Sequence, residues 1–542
     1  MKILTSLLLA LSALPLAAQG AQGYPGERLG KVSFAVSCAP KVRAPFSRGV
    51  ALLHDFWYEE AQWQFEQIAK TDPQCAMAHW GIAMSQFHQI WDRPDEKTVA
   101  RGWTEMQAAR SHPAKSAREG EYIAALSGFF QPDQRDYQAR IEGYAAAMAK
   151  LYDEHPQDVD AGAFYALSLL AARAPDDASL TQARKAMAVL NPLSAAHPDH
   201  PGVVHYIIHA CDTPLLAPDG LAAAKHYGEI APSAPHAVHM PGHIFARLGM
   251  WQADIDSNVA SVAASKVAEA RHQSGAMDQF HSDDFLLYAF LQTGQDERAQ
   301  AVMADATASI GAFEATGHMG EHYMEGMFPY YRTKMPVFFD LEMRDWKSAA
   351  ALQPVDGAPP GTQTLTYWAR TVAAGHLRQP LEARADLAEY DSLMGKVRQG
   401  RHAYLADSTE ARIERGEMLG WIAFAEGNSA EAFNRMRESA DLQDKVGQGE
   451  VDIPAREMLA DMLLDSGQPQ DALAEYKQAL KLSPNRFNGL YNAGVAAEAA
   501  GDRTQARRFY SALLESTDSG AHSQRPEFDH VKDFAESAAL VH

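Results

Sequence analysis

Residues 454–484 read PAREMLADMLLDSGQPQDALAEYKQALKLSP, and this stretch carries a pattern that the chain repeats. Ala460 and Ala472 are small residues at two of the repeated positions, and Gly467 lies at the turn between them. The large Tyr476 follows, and Pro484 closes the stretch. The next copy lies 34 residues later and has corresponding residues at Gly494, Gly501, Ala506 and Tyr510. Two apolar-periodic segments joined by a glycine turn and closed by a proline predict a helical hairpin.

The pattern resembles the tetratricopeptide repeat, in which small residues lie where paired helices touch and a large one fills the adjoining hole. Weaker copies extend it from about residue 42 to about residue 515, at Gly49, Ala61, Phe65 and Pro73, at Gly294, Ala299 and Met303, and at Gly420, Gly427, Ala432 and Met436. No segment shows the alternation of a strand. We therefore predict an all-α fold: a right-handed superhelical solenoid of tetratricopeptide-like helix pairs with a divergent, histidine-rich middle.

Breaks in the pattern divide the chain into four predicted segments. These are a signal peptide at residues 1–21, an N-terminal helical array at 22–190, divergent histidine-rich repeats at 191–330, and a C-terminal array at 331–542. The last array ends in a tail after Thr517 that we expect to be polar and partly disordered. Stacked helix pairs create a concave surface, and this groove is the expected site for a protein or peptide partner.

The charge of the chain bears on its partners. It has 48 Lys and Arg residues against 69 Asp and Glu residues, for a net charge of -21. Such a surface repels polyphosphate and lacks the basic stripe that releases counterions from nucleic acid. We therefore expect no nucleic-acid partner.

The N-terminus has the pattern of an export signal. Lys2 precedes an apolar run from Ile3 to Leu16, and small residues follow, with a cleavage site expected between about Ala18 and Ala21. The run is shorter than the roughly 20 residues that a membrane-spanning helix needs. We therefore predict a periplasmic or secreted protein with no transmembrane anchor after signal cleavage.

The chain contains three cysteines. Cysteines of exported proteins commonly pair, and Cys38 precedes the first repeat while Cys75 opens the second. We predict a Cys38–Cys75 disulfide, which the loop-entropy model makes worth about 3–4 kcal/mol. The alternative is that all three are buried thiols. Cys211 points away from the nearby histidines by helical period and is predicted to be a buried thiol.

Eight of the 22 histidines fall between His197 and His243. In a helix that begins at Pro201, the side chains of His205, His209 and Asp212 share one face at positions i, i+4 and i+7. A second set, His236, His239 and His243, shares a face if its segment is one helix. If Pro241 instead begins a helix, the first two lie in an approach loop and His243 lies in the first turn.

Two such sets in adjacent repeats favour a metal site. His205 and His209 are expected to meet His239 and His243 across the groove, with His236 in support. Three or four imidazoles suit Zn, Cu or Fe, and three with an open position suit a reactive centre. Asp212 is either a ligand or the carboxylate that orients an imidazole.

Another interpretation of these histidines is hydrogen bonding between helices without metal. His281 and Asp284 also share a face and are further candidates for the site, although this pattern is more typical of a solvated surface or a helix cap.

No HExxH, CxxC, GxSxG or GxxxxGK occurs, so no catalytic residue is predicted. Residues 75–84, 205–209 and 231–245 resemble exported bacterial repeat proteins, a likeness that implies shared architecture and no particular activity. Two hypotheses remain. The first, favoured because the repeat pattern is the more specific, is a periplasmic or secreted scaffold for a protein or peptide partner. The second is a transition-metal-binding protein or metalloenzyme that uses the central histidines.

Overall fold

The computed structural model describes residues 23–90, 93–112, 116–174, 178–316, 322–400, 402–449, 451–521 and 523–539. Within these ranges the secondary structure is helical and contains no strand, which confirms the predicted all-α class. The predicted signal peptide lies outside the described residues. In the same ranges, no helix combines the length and the apolar character that crossing a membrane requires.

The chain packs into two compact units, and the first comprises Met1–Ala172, Pro192–Val203 and Ile230–Ala234. The described residues that lie wholly within it form seven α-helices: α1 (Arg43–His54), α2 (Tyr58–Thr71), α3 (Ala76–Met84), α4 (Glu96–Ser111), α5 (Ala117–Phe130), α6 (Tyr137–Glu154) and α7 (Val159–Ala171). Helices that follow one another along the chain pack together, as in a series of hairpins.

The small and large residues of the repeat pattern meet in the first hairpins. A Cβ atom added at Gly49 of α1 would lie 2.7 Å from the Phe65 ring, and one at Gly81 of α3 would lie 2.3 Å from it. The Phe65 side chain of α2 therefore fills a space that exists only because both neighbours lack side chains. Ala61, one turn earlier on α2, is fully buried.

A disulfide joins Cys38 to Cys75, with 5.0 Å between their Cα atoms, as predicted. It links the extended segment before α1 to the residue that precedes α3. Phe34 of the same segment packs against Trp80, with 5.7 Å between ring centroids. The remaining cysteine, Cys211, is a buried thiol, also as predicted.

The second unit comprises Arg173–Asn191, Val204–Glu229 and Pro235–His542. Three helices have residues in both units: α8 (Thr181–Ala196), α9 (Pro201–Cys211) and α10 (Ala217–Ile230). Those within the second unit begin with α11 (Pro235–His239), α12 (Pro241–Arg247), α13 (Trp251–Ala270), α14 (Ala276–Gln292) and α15 (Asp296–Thr316). A π-helical turn, His322–Met327, leads into α16 (Phe328–Glu342) and α17 (Trp346–Ala351).

The rest of this unit is a regular series of hairpins. Its helices are α18 (Pro360–His376), α19 (Pro380–Val397), α20 (Thr409–Ala425), α21 (Ser429–Val446), α22 (Ala455–Asp465), α23 (Pro469–Leu482), α24 (Phe487–Ala499), α25 (Arg503–Ser516) and α26 (Pro526–Ala539). A Cβ atom at Gly494 would lie 2.2 Å from the Tyr510 ring, which is the same contact between a small and a large residue as at Phe65. Gly467 has φ +74° in the turn between α22 and α23, a conformation that favours glycine. The four segments predicted from the sequence were defined by breaks in the repeat pattern and not by packing. That division of the chain stays a prediction.

Within the second unit, the region before α24 contacts much earlier helices. The buried guanidinium of Arg486 donates to Glu342 of α16 at 2.8 Å and to Glu457 of α22 at 3.1 Å. The indole of Trp251 donates to the Asn485 carbonyl at 2.7 Å. Helices far apart in sequence therefore meet through buried ion pairs. The open groove that the sequence predicts for a partner stays a prediction.

The C-terminal tail is more ordered than expected. Helix α26 buries Phe528, Val531 and Phe534. Arg525, just before it, forms an ion pair with Asp296 of α15 at 2.6 Å. The tail is helical because its apolar residues recur at intervals of three along one face, a period that the polar composition around them obscures.

Candidate metal centre

Helix α9 carries two of the predicted histidines, and both belong to the second unit. It begins at Pro201, as predicted, and a first-turn proline costs no hydrogen bond. His205 and His209 are one turn apart on it, with 4.7 Å between ring centroids. The His205 side chain is fully buried and stacks on Tyr227 of α10, with 5.1 Å between centroids.

Two short helices carry the other predicted histidines. Of the two alternatives proposed for this segment, the structure has the one in which Pro241 begins a helix and His243 lies in its first turn. His236 and His239 lie in the five-residue helix α11 rather than in an approach loop. A Cβ atom at Gly242 would come within 2.7 Å of the side chains of Asp254 and Asn258, so α12 packs closely on α13 at this glycine.

The first group of three, which we call the first triad, consists of His205, His209 and His236. One ring nitrogen from each lies within 4.8 Å of the others. The ring centroid of His236 is 5.0 Å from that of His205 and 6.2 Å from that of His209. His236 is therefore a full member of the first triad, whereas the sequence pattern predicted only a supporting role for it.

The second triad consists of His239, His243 and His281, again with one nitrogen from each within 4.8 Å of the others. His281 comes from α14, and its ring centroid is 4.4 Å from that of His239. The sequence pattern favoured a solvated face or cap for His281 and Asp284 over a place in the site, and this preference is wrong. Asp284 is buried and bound to Lys334 at 2.6 Å.

The two triads are neighbours, and together we call them the six-histidine cluster. His236 and His239 are three residues apart on α11, with 6.0 Å between ring centroids. The expected pairing of His205 and His209 with His239 and His243 differs from the observed grouping. Each of these pairs instead takes a third histidine from another helix, because α11 places one histidine in each triad.

Oxygen acceptors lie behind the rings of the second triad. The Oδ1 atom of Asn258 is 2.6 Å from His239 Nδ1, and the Asn258 amide group donates to Asp254 at 2.7 Å. The Oδ2 atom of Asp212 is 3.0 Å from His243 Nδ1, while its Oδ1 accepts from Arg247 at 3.0 Å. Asp212 thus orients an imidazole, the second of the two roles considered for it.

These contacts determine which ring nitrogens bear hydrogen. In both rings Nδ1 faces an oxygen acceptor, so Nδ1 carries the hydrogen and a neutral ring has a lone pair on Nε2. The two Nε2 atoms lie only 2.9 Å apart. Two lone pairs at this distance repel each other unless a cation or a shared proton lies between them.

An aromatic side chain borders the second triad, and burial keeps one imidazole of the first triad neutral. Phe285 lies 4.9 Å from the rings of both His239 and His243. Burial, reinforced by His205 and the other neighbouring histidines, holds the pKa of His236 well below its usual range. A neutral imidazole is the form that binds a metal.

A different histidine pair, in the first unit, has a structural explanation. Asp160 Oδ1 accepts from His54 Nε2 at 2.9 Å and from His200 Nε2 at 3.3 Å. Burial lowers the pKa of His54 to about 4, against the opposing hydrogen bond to Asp160. A Cβ atom at Gly202 would lie 2.2 Å from the His54 ring. The network is a hydrogen-bonded contact between helices.

A cavity of about 840 Å³ in the first unit lies beside this network. Arg118 and Asp158 line it and form an ion pair with each other, and Lys31 pairs with Asp199 on its rim. Because the charges are paired within the wall, they favour no particular class of ligand.

Fold and site together define an all-α repeat protein with a six-histidine cluster, in which His205, His236 and His239 are buried and the other three are partly exposed. Residues 457–521 match the sequence model of the family described as Tetratricopeptide repeat. No curated protein matches the chain.

Solved structures of similar fold include a human IFIT1 dimer with m7Gppp-AAAA, at 10% identity and TM-score 0.37, covering 81% of this chain and 90% of that one. The yeast Tom70 structure has 13% identity and TM-score 0.32, with 86% and 96% of the two chains covered. The P58(IPK) tetratricopeptide domain has 12% identity and TM-score 0.22, with 70% and 99% covered. These TM-scores assign neither an overall arrangement nor an activity to this chain.

Proposed function

We propose that the protein binds transition-metal ions through the six-histidine cluster. The observation that carries the proposal is the 2.9 Å approach of the Nε2 atoms of His239 and His243 while both Nδ1 atoms face oxygen acceptors. A metal ion between these nitrogens removes the repulsion of their lone pairs. His281 then supplies a third ligand, and His205, His209 and His236 form an equivalent set.

The donor atoms narrow the choice of metal. All six proposed ligands are imidazoles, which suit Zn, Cu and Fe and suit Mg and Ca poorly. Three imidazoles leave a coordination position open, as in catalytic rather than structural zinc sites. The carboxylate and amide behind His243 and His239 are the kind of partners that orient metal-bound imidazoles.

Metal analysis tests this proposal. Protein purified without a metal-affinity column should carry Zn, Cu or Fe in near-stoichiometric amount, measured by elemental analysis after desalting. The His205→Ala/His209→Ala and His239→Ala/His243→Ala variants should each lose metal while keeping their helical circular dichroism.

A matched control is the His197→Ala/His226→Ala variant, whose histidines belong to neither triad. It should keep the full metal content. Wild-type protein that stays metal-free after incubation with Zn, Cu and Fe salts would contradict the proposal.

A second candidate function is partner binding, favoured by the match of residues 457–521 to the tetratricopeptide repeat. Repeats of this class are protein-interaction scaffolds, and a protein or peptide is the expected partner. Cross-linking in cells, compared between wild type and a variant with exposed residues of α23 and α25 changed, tests it. Loss of the same partner from the His239→Ala/His243→Ala variant alone would point back to the metal centre.

We also propose that the protein acts in the periplasm or outside the cell. The sequence of residues 1–21 supports export, and the Cys38–Cys75 disulfide suits an oxidising compartment. N-terminal sequencing of protein from the periplasmic fraction should find a start between about Ala18 and Ala21. A cytoplasmic protein that retains Met1 would contradict export.

A further inference from the structure

We propose that the two triads hold two metal ions that share one small bridging anion. This inference rests on the proposed function and adds to it the number of ions and the class of ligand that they bind. The anion would lie in the space between the triads, which no sequence pattern identified.

The two triads lie close together. His236 belongs to one and His239 to the other, yet both lie on the five-residue helix α11, with 6.0 Å between ring centroids. The ring centroids of His239 and His243, which both belong to the second triad, are 4.9 Å apart. Distances between the triads are thus close to distances within them. Ions bound to adjacent triads therefore approach the roughly 3.5–4 Å separation of two-metal sites.

Neither triad provides enough ligands to complete the coordination of a metal ion. Each triad provides three imidazole nitrogens, and the nearest carboxylate of the second triad, Asp212, is already engaged by His243 and Arg247. Each ion therefore keeps an open position. One small ligand between the ions fills both positions at once.

The charge of two bound ions exceeds the charge that the ligands supply. Imidazoles bind metal ions in their neutral form and contribute no charge, so two divalent ions bring four positive charges into a largely buried site. Among the nearby carboxylates, Asp212 is offset by Arg247 and Asp284 by Lys334.

Two further carboxylates remain close to the cluster. Asp278 lies 3.3 Å from His236 Nδ1, and Asp254 binds the amide that supports His239. They supply two negative charges against four positive ones. A buried excess of positive charge requires a counter-ion, so the site selects a small anion such as hydroxide or azide.

Copper(II) with azide as the probe tests this inference by electron paramagnetic resonance. Metal-free protein is loaded with copper(II) chloride, desalted, and saturated with sodium azide. We expect two copper ions per chain, and we expect azide to lower the integrated signal at least roughly fivefold below the copper content, because bridged ions couple their spins.

Three results bear on the inference in different ways. One copper per chain, or two with a full uncoupled signal in azide, would overturn the bridged pair and leave the proposed metal binding intact. No retained copper would contradict the proposed function itself.

Variants distinguish coupling within a chain from other causes. His281→Ala removes a ligand of the second triad and should leave one copper whose full signal azide does not lower. His209→Ala should give the reciprocal result from the first triad, which covers the case in which the first variant fails to fold. His197→Ala, on the surface, should behave as wild type, and unchanged coupling in both triad variants would overturn the inference.

Discussion

Asn258 fixes the ring of His239 from the side opposite the second triad. Its Oδ1 atom lies 2.6 Å from His239 Nδ1, and its amide nitrogen is held by Asp254. The amide therefore keeps the Nε2 lone pair directed at His243 and His281. Asn258 lies on α13, and the sequence patterns did not identify it as part of the site.

The Asn258→Ala variant should bind metal roughly 10–100-fold more weakly at the second triad, because the loss of an orienting partner costs about that much in affinity. Competition with a chromophoric chelator measures the effect. Asp256→Ala, on the exposed face of the same helix, is the control and should leave affinity unchanged. Equal affinity in the two variants would mean that Asn258 does not position His239.

At this scale the sequence identified five of the six histidines and misjudged the sixth. Helical spacing brought out His205 with His209, which share one face of α9. The spacing of four residues also brought out His239 with His243, although these two lie on α11 and α12. His281 comes from another helix, so only packing brings it to His239. The signal that was present is the polar run around His281 at the start of α14, directly before the apolar residues 285–291.

Among the elements, the short helices around Met240 contribute most to the cluster. Helix α11 is only five residues long and is held by its neighbours, because Ser261 of α13 donates to the Pro235 carbonyl at 2.9 Å. Local sequence favours no such helix, since an isolated turn is unstable in water. The longer helices α9, α22 and α24 were predictable because their period and end signals are local.

Another element-level contact makes the first unit sensitive to pH. The His54–Asp160–His200 network joins α1 and α7 to the residue before α9. Burial lowers the pKa of His54 to about 4, whereas the unfolded side chain titrates near 6.5. As the pH falls between these values, only the unfolded chain takes up this proton, so the fold loses stability. Asp160 stays ionised throughout this window, because its hydrogen bonds to His200 and His54 outweigh burial and lower its pKa.

The His54→Gln variant keeps an N–H donor for Asp160 and cannot titrate. Between about pH 7 and about pH 4.5 its free energy of unfolding should fall less than that of wild type, by up to about 2–3 kcal/mol, since one pKa unit is worth about 1.4 kcal/mol. Urea unfolding followed by circular dichroism measures both, with His197→Gln as the surface control. Parallel losses in wild type and His54→Gln would contradict this assignment.

For the whole molecule, the residues of the proposed metal site and the clearest repeats lie in one compact unit but in different parts of it. The six-histidine cluster draws on residues 205–281, while the tetratricopeptide match covers residues 457–521. The all-α class and the hairpin repeat were predictable, because each hairpin carries its own pattern. The long-range contacts of Arg486 and Trp251 were not, because they join segments more than 100 residues apart.

The most direct test of the metal centre is anomalous diffraction from crystals of the metal-loaded protein, recorded on both sides of the absorption edge of the bound metal. The account predicts anomalous peaks in both triads, each about 2.0–2.1 Å from three imidazole nitrogens. Metal found only at surface histidines, with ordered and empty triads, would contradict it.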